Sequence, residues 1–537
     1  MTTLAAQPFQ APSIAYSRIY PLLIVFGVAL LGVLIEAFVP RQRRYLTQSV
    51  VTLAGLLAAF IGVVVVGSGI GANTGAGAGS RGAIEVEGAI AVDGPALFIW
   101  GTLLIFSLLS AMLFAERHLE GGVTQFAGQA AAVPGTQAER EASARGIEHT
   151  EVFPLLAFAV GGMMLFSAAN DFLTMFVALE VFSLPLYLLC GLARRRRLIS
   201  QEAALKYFLL GAFSSAFFLY GIALIYGYAG SMHFADIDNA VSGRAGASSL
   251  LYVGIALVGM GLLFKVSAAP FHYWTPDVYQ GAPTAVTAFM AVGTKLAAFG
   301  ALLRVFYVAL GGARWDWAPM LWIVAILTMV VGSVIAITQT DMKRLLAYSS
   351  IAHAGFILTG FIGVYQGFTL LGHQVTSLQA VMFYLVAYGF TTLGAFAIVM
   401  VVRDSSGETL HLSRWAGLGK RAPVVAGVFA LFLLAFAGIP LTSGFTGKWA
   451  VFTAAWEGGA WPLVIIAVVM SLVAAFFYIR IIVLMFFSEP VGDGPTVVIP
   501  SVLTTTVITI GAAMTLLLGI VPQSVLDLAR QAGEFVR

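Results

Sequence analysis

Apolar stretches of about twenty residues, separated by short polar segments, recur along the chain. They fall near 20–39, 50–67, 91–114, 152–169, 171–193, 202–228, 249–265, 284–310, 318–338, 345–364, 376–402, 423–454, 460–487 and 500–520. A bilayer-spanning helix needs roughly 20 mostly apolar residues, so the pattern predicts an all-α integral membrane protein of about fourteen transmembrane helices, numbered here in chain order. The first run is longer than a typical signal-peptide core, and the tail before it has only Arg18 as a cation, so it is expected to stay as a helix.

The polar segments predict the orientation. Loops after odd-numbered helices carry about sixteen basic residues: Arg41, Arg43, Arg44, Arg117, Arg140, Arg145, Arg194 to Arg197, Lys343, Arg344, Arg403, Arg414, Lys420 and Arg421. Loops after even-numbered helices carry about three, Arg81, Arg244 and Arg314. By the positive-inside bias the odd loops face the cytoplasm, which predicts a multi-pass protein of a bacterial inner membrane with both termini periplasmic. Composition agrees, with 60% hydrophobic and 10% charged residues and a mean hydropathy of +0.94. The single cysteine, Cys190, excludes a disulfide framework and thiolate-held iron–sulfur clusters. A net charge of +3 without a basic face gives no footprint for nucleic acid. Gly77, Gly79 and Gly82 match G-x-G-x-x-G, but that pattern carries nucleotide chemistry only between a soluble strand and a helix, so it reads as a flexible linker. The stretch 116–150, with Glu139, Arg140, Glu141, Arg145 and Glu148, reads as a solvated surface loop.

An internal repeat divides the chain. Helix six contains ALKYFLLGAFSSAF from Ala204 and helix eleven AVMFYLVAYGFTTLG from Ala380, each with a Tyr/Phe pair followed by two hydroxyl residues, Ser214 and Ser215 or Thr391 and Thr392. The next helix is broken in both cases, at Pro270 in SAAP and at Pro440, Gly444 and Gly447 in AGIPLTSGFTG. Matched breaks in two halves point to a transport site, because irregular backbone is tolerated at membrane depth only inside protein or along a cavity. The expected division is 1–150 with three helices, 151–315 with helices four to eight, 316–490 with helices nine to thirteen, and 491–537 with helix fourteen and a tail. Five helices per unit give the two units opposite topology.

Ionisable residues within the apolar runs are the candidate machinery, since a charge near the bilayer centre costs at least a few kcal/mol. Glu180 lies in helix five, Lys206 in helix six, Lys265 before the first break with His272 just past it, Lys295 in helix eight, His353 in helix ten and Lys448 after the second break. No acid in the second half matches Glu180. Desolvation favours neutral lysine and a nearby carboxylate favours the charged form, so lysine can serve as a switchable proton site where arginine cannot. Plainer readings exist: Lys206 or Lys448 snorkelling to a headgroup, a static Glu–Lys pair, or histidines bonding a neighbouring helix.

Two long stretches, FKVSAAPFHYWTPDVYQGAPTAVTAFMAVGTK over 264–295 and TDMKRLLAYSSIAHAGFIL over 340–358, resemble the antiporter-like membrane subunits of respiratory complex I, the NADH:quinone oxidoreductase. Lysine in GFTGKWAVF is similar to the N type, where the M type has glutamate, and the short segment after helix fourteen differs from the long lateral helix of the L type. The resemblance implies fourteen transmembrane helices in two inverted five-helix repeats and a proton path along the membrane midplane. It implies Glu180 and Lys265 as the coupling pair, Lys295 as the central relay, Lys448 as the terminal site, and Lys206, His272 and His353 near that axis. It implies no cofactor on this chain, with NADH, flavin, iron–sulfur clusters and quinone on partner subunits, and assembly with the M-type and small membrane subunits amid membrane lipids. A subunit of a multisubunit sodium/proton antiporter or membrane-bound hydrogenase, or a static membrane scaffold, are the alternatives.

Overall fold

The computed structural model describes residues 14–70, 81–129, 147–243, 248–363, 373–404, 407–490 and 494–537, with a few positions in 132–145 and 368–370. Gly77 and Gly79 of the glycine-rich loop, and Glu139, Arg140 and Arg244, lie outside the described residues.

Helix occupies most of every apolar run. The order is α1 (Tyr16–Phe38), α2 (Arg41–Gly69), α3 (Gly94–Phe114), α4 (Val152–Ala168), α5 (Phe172–Cys190), α6 (Arg197–Ala229), α7a (Ser249–Lys265) and α7b (Trp274–Gly281), α8 (Thr284–Arg304), α9 (Arg314–Thr338), α10 (Met342–Ile362), α11 (Ser377–Val401), α12a (Pro423–Ala437) and α12b (Ser443–Glu457), α13 (Trp461–Phe487) and α14 (Val502–Ile520), closed by the amphipathic α15 (Gln523–Ala532). Among the described residues, eleven helices are long and apolar enough to cross a membrane, and α4, α7a and α12a are shorter apolar helices.

Burial sorts them into layers. A helix that is apolar all round belongs in an interior, and α8 and α11 are buried along their whole length, with α10 nearly so and α3 largely so. Lipid is as apolar as leucine, so close approach at small residues, rather than hydrophobicity, brings such helices together. Gly389 on α11 accordingly sits against the ring of Phe106 on α3, and Gly360 on α10 against Val451 on α12b. The outer helices leave large apolar side chains exposed, among them Leu34 on α1, Val64 on α2, and Leu472 and Phe476 on α13.

The two broken helices show how freed backbone is satisfied. After α7a the chain turns through Ser267, whose φ is +65°, and the Ala269 N–H donates to Thr328 Oγ1 of α9 at 2.9 Å. The Phe264 carbonyl accepts from Trp274 Nε1 at 3.0 Å. After α12a the chain turns through Gly438 and Leu441, both at positive φ, and the carbonyls of Phe436 and Ala437 accept from the side chain of Lys448. The second break thus recruits its own lysine as the missing donor.

One loop reading and one helix boundary change. The stretch 116–150 is not simply solvated: Phe126 is fully buried against Phe114, and Arg117 pairs with Glu148 at 2.7 Å. Glu116 is buried and accepts from Ser501 N, Ser501 Oγ and Thr504 Oγ1 at 2.9, 2.6 and 2.6 Å, which tethers the start of α14 to the end of α3. Among the described residues of the stretch, Glu116, Arg117 and Glu148 make these contacts, while Glu141 and Arg145 remain exposed. The third apolar run begins as a strand: Ile90–Asp93 (β2) pairs antiparallel with Gly82–Glu85 (β1), and helix starts only at Gly94, where the Asp93 carboxylate caps Ala96 N.

Candidate functional site

Lys265 ends α7a, where a helix C-terminus favours a cation, and is 2% exposed. Its Nζ donates to Ser183 Oγ on α5 at 2.8 Å, and the rings of Phe182, Tyr207 and Tyr187 lie 5.2, 5.4 and 5.6 Å away, within cation–π range. Glu180 is on the same face of α5, three residues before Ser183, and is half-buried. Its Oε1 is buried and has no hydrogen-bond partner among the described residues. The direct ion pair expected between Glu180 and Lys265 is absent among the described residues: in this conformation the lysine takes the neutral hydroxyl one helical turn away.

Lys295, in the middle of α8, is equally buried. It donates to the carbonyl and hydroxyl oxygens of Ser350 on α10, at 2.5 and 2.7 Å, and sits 5.0 Å from the Tyr388 ring of α11. One turn along α10 is His353, whose ring centroid is 5.1 Å from that of Tyr388. His353 Nδ1 lies 2.7 Å from the Tyr384 hydroxyl and Nε2 lies 3.4 Å from the Tyr478 hydroxyl of α13, which itself bonds Ser349.

Lys448, 5% exposed on α12b, donates to Phe436 O at 2.8 Å, Ala437 O at 3.0 Å and Ser471 Oγ of α13 at 2.8 Å. Its Nζ lies 4.9 Å from the ring of Phe356, one turn beyond His353. Phe436 in turn packs against His353, with ring centroids 5.5 Å apart.

The structure therefore brings Lys295, His353 and Lys448 into one buried cluster, with Lys265 and Glu180 as a second group around Ser183. His272 is buried at the first break and stacks on Tyr273, and its Nδ1 has no partner among the described residues. Lys206 departs from the buried series. Its side chain is 42% exposed and forms ion pairs with Glu202 at 2.6 Å and Asp277 at 2.7 Å, and Asp277 also holds Arg344 at 2.5 Å. The long stem carries its ammonium to the acids on α6 and α7b rather than inward.

Residues missed from sequence are mostly neutral. Ser183, Ser350, Ser471, Tyr384, Tyr388 and Tyr478 supply the hydrogen bonds and rings between the charges, and their apolar-looking helices hide them. One signal was present: the Tyr/Phe pair of the repeat places Tyr207 beside Lys265 and Tyr384 on His353. Also missed is a fully buried ion pair, Arg304 on α8 with Asp93, bidentate at 2.9 and 2.8 Å. Lys343, buried at the start of α10, donates to Ala282 O and Thr284 Oγ1 between α7b and α8. Among the described residues no group of three or more His, Cys, Asp or Glu side chains is arranged to hold a metal ion.

Comparison with known proteins places this arrangement. Residues 169–477 match the family model described as NADH:quinone oxidoreductase/Mrp antiporter, TM. The chain is 65% identical over 533 residues to NADH-quinone oxidoreductase subunit N of Nocardioides sp., covering 98% of this chain and 100% of that one. A chain of respiratory complex I from Thermus thermophilus superposes with a TM-score of 0.73 at 33% identity, covering 96% of this chain and all of that one. A chain of the Mrp complex from Dietzia sp. superposes at 0.76 but with 22% identity, a likeness of fold, covering 97% of each chain. The chain belongs to the NADH:quinone oxidoreductase/Mrp antiporter family of membrane subunits, in the group of complex I subunit N proteins.

Proposed function

We propose that this chain is the subunit N component of a bacterial NADH:quinone oxidoreductase and moves protons through its buried lysine and histidine residues, while electron transfer takes place on other subunits. The observation that carries this reading is the buried cluster Lys295, His353 and Lys448, in which each ionisable group bonds a hydroxyl, of Ser350, Tyr384 and Ser471 respectively, deep inside helices that are otherwise apolar. In this reading Lys295 is the central relay and Lys448 the terminal site. The Ser183 hydroxyl alternates with Glu180 as the partner of Lys265. His353 with its tyrosines joins the two lysines of the cluster, and His272 and Lys206 stand at the edge of the path. Moving one proton against roughly 180 mV takes about 4 kcal/mol, or about a thousandfold change in proton affinity. Gaining or losing a carboxylate neighbour in a desolvated site is sufficient for that change.

The remaining parts of the reading go with it. The units 151–315 and 316–490 act as inverted repeats, supported by their corresponding breaks and by the matched Tyr207 and Tyr384. Odd-numbered loops face the cytoplasm and both termini the periplasm, supported by the distribution of basic residues. Flavin, iron–sulfur clusters and quinone are carried by partner subunits, and neighbours in the membrane include the M-type and small membrane subunits.

The deciding experiment is proton uptake into vesicles containing the assembled complex, comparing wild type with Lys295→Met. Loss of pumping together with coupled NADH oxidation supports the relay. Wild-type levels of both would make the central charge structural and favour a scaffold.

A further inference from the structure

Away from the buried charges, a groove of about 370 Å³ opens between the C-terminal half of α2, the first turns of α3 and the outer face of α15. Its interior is apolar, walled by Phe60, Val63 and Ile105, whereas its mouth carries Ser68, Arg81 and Gln531. The groove runs from the helix ends towards the middle of the bundle. Ser68 to Phe60 is about 12 Å along α2, and Gly94 to Ile105 is about 16 Å along α3, at 1.5 Å per residue. That depth is about half of a hydrocarbon core of roughly 30 Å, or one leaflet. The wall is built on a fixed frame, since Arg81 O accepts from Gly94 N at 2.9 Å and α15 packs so tightly on the start of α3 that a side chain at Gly94 would strike the Ala532 carbonyl. The neighbouring face of α2, with Ile61, Val64 and Val65, is exposed and apolar. Arg81 is exposed and has no acidic partner among the described residues.

We propose that this groove binds an anionic phospholipid, with one acyl chain lying between α2 and α3 and the phosphate at Arg81. A single leaflet's depth, apolar below and polar at the mouth, fits an amphiphile standing upright in the membrane. Arg81, the cation among the described residues that line the groove, selects a negative headgroup. A through-membrane helix of a partner would need the full bilayer thickness, about twice the depth of this groove.

The test uses the whole complex in phosphatidylcholine vesicles carrying either photoactivatable phosphatidylglycerol or photoactivatable phosphatidylcholine at equal mole fraction, with crosslinked peptides read by mass spectrometry. The expected result is labelling of residues 60–70 and 97–105 that favours the phosphatidylglycerol probe by about fivefold, the factor one basic residue contributes near an anionic surface. Arg81→Gln, an exposed position, is expected to remove that preference. Gly101→Leu, which fills the groove, is expected to lower labelling by both probes. Equal labelling of wild type by the two probes, a preference unchanged in Arg81→Gln, or no labelling by either probe would each overturn the proposal. The first comparison needs no variant, so it stands whether or not Gly101→Leu assembles.

Discussion

Tyr384 on α11 and Gly447 on α12b are in direct contact: a side chain at Gly447 would overlap the tyrosine ring. The ring that lies on the glycine also presents its hydroxyl to His353, and the residue after the glycine is Lys448. The break in helix twelve therefore sets the position of the tyrosine and the lysine together. Gly447→Ala is expected to displace Tyr384 and separate it from His353, at an overpacking cost of about 1–3 kcal/mol. Proton pumping by the assembled complex should fall on the order of tenfold, with Tyr384→Phe giving a smaller loss. Pumping at wild-type rates in Gly447→Ala would show that the tyrosine contact has no part in transfer.

Lys448 has two duties that substitution can separate. It satisfies the carbonyls of Phe436 and Ala437, and in the proposed function it exchanges a proton. Lys448→Met leaves both carbonyls without their donor, which costs about 1–3 kcal/mol for each buried group, so lower thermal stability is expected along with lost pumping. Lys448→Arg keeps donors and charge but cannot become neutral. Near-normal assembly without pumping is the expected outcome, and vigorous pumping by the arginine variant would count against a protonation role.

Ser183 is the hydrogen-bond partner of Lys265. Ser183→Ala removes that acceptor and leaves Glu180 and Tyr187, each about one turn away on the same face of α5, as the remaining polar groups there. Coupled pumping measured in vesicles should drop several-fold, while Ser183→Thr, which retains the hydroxyl, should recover most of it. An unchanged rate in Ser183→Ala would mean that Lys265 finds its partner elsewhere.

The Arg304–Asp93 pair is 0% exposed on both sides, and Asp93 also caps α3 and accepts from Val536 N. Removing one charge of a buried pair typically costs about 3–5 kcal/mol. Arg304→Met should therefore lower the amount of assembled complex on native gels. The double variant Arg304→Met with Asp93→Asn, which keeps the cap but removes the stranded charge, should recover a large part of it. Equal loss in the single and double variants would show that the arginine acts through packing alone.

Much of this was legible because the relevant physics is one-dimensional. An apolar run of some twenty residues has to be a helix in a bilayer, so positions such as Ser249–Lys265 emerged with their observed bounds. A lysine amid apolar residues, such as Lys295, announces itself by what it costs to bury. Lys206 shows the limit of that signal: the sequence tells which run a charge occupies but not the direction in which its stem leaves the helix, and here the stem leads to Glu202 and Asp277.

The sequence by itself determined the helices, their breaks and the buried Lys265, Lys295 and Lys448, since each depends on local hydrophobicity and on proline and glycine, whereas the burial of Arg304 with Asp93 was not legible in it. Tertiary structure alone decided who meets whom. Ser183 lies 82 positions from Lys265, and Ser350 lies 55 positions from Lys295. Such partners are ordinary serines and tyrosines whose hydroxyls become decisive only where packed helices exclude water and leave a buried donor no other acceptor.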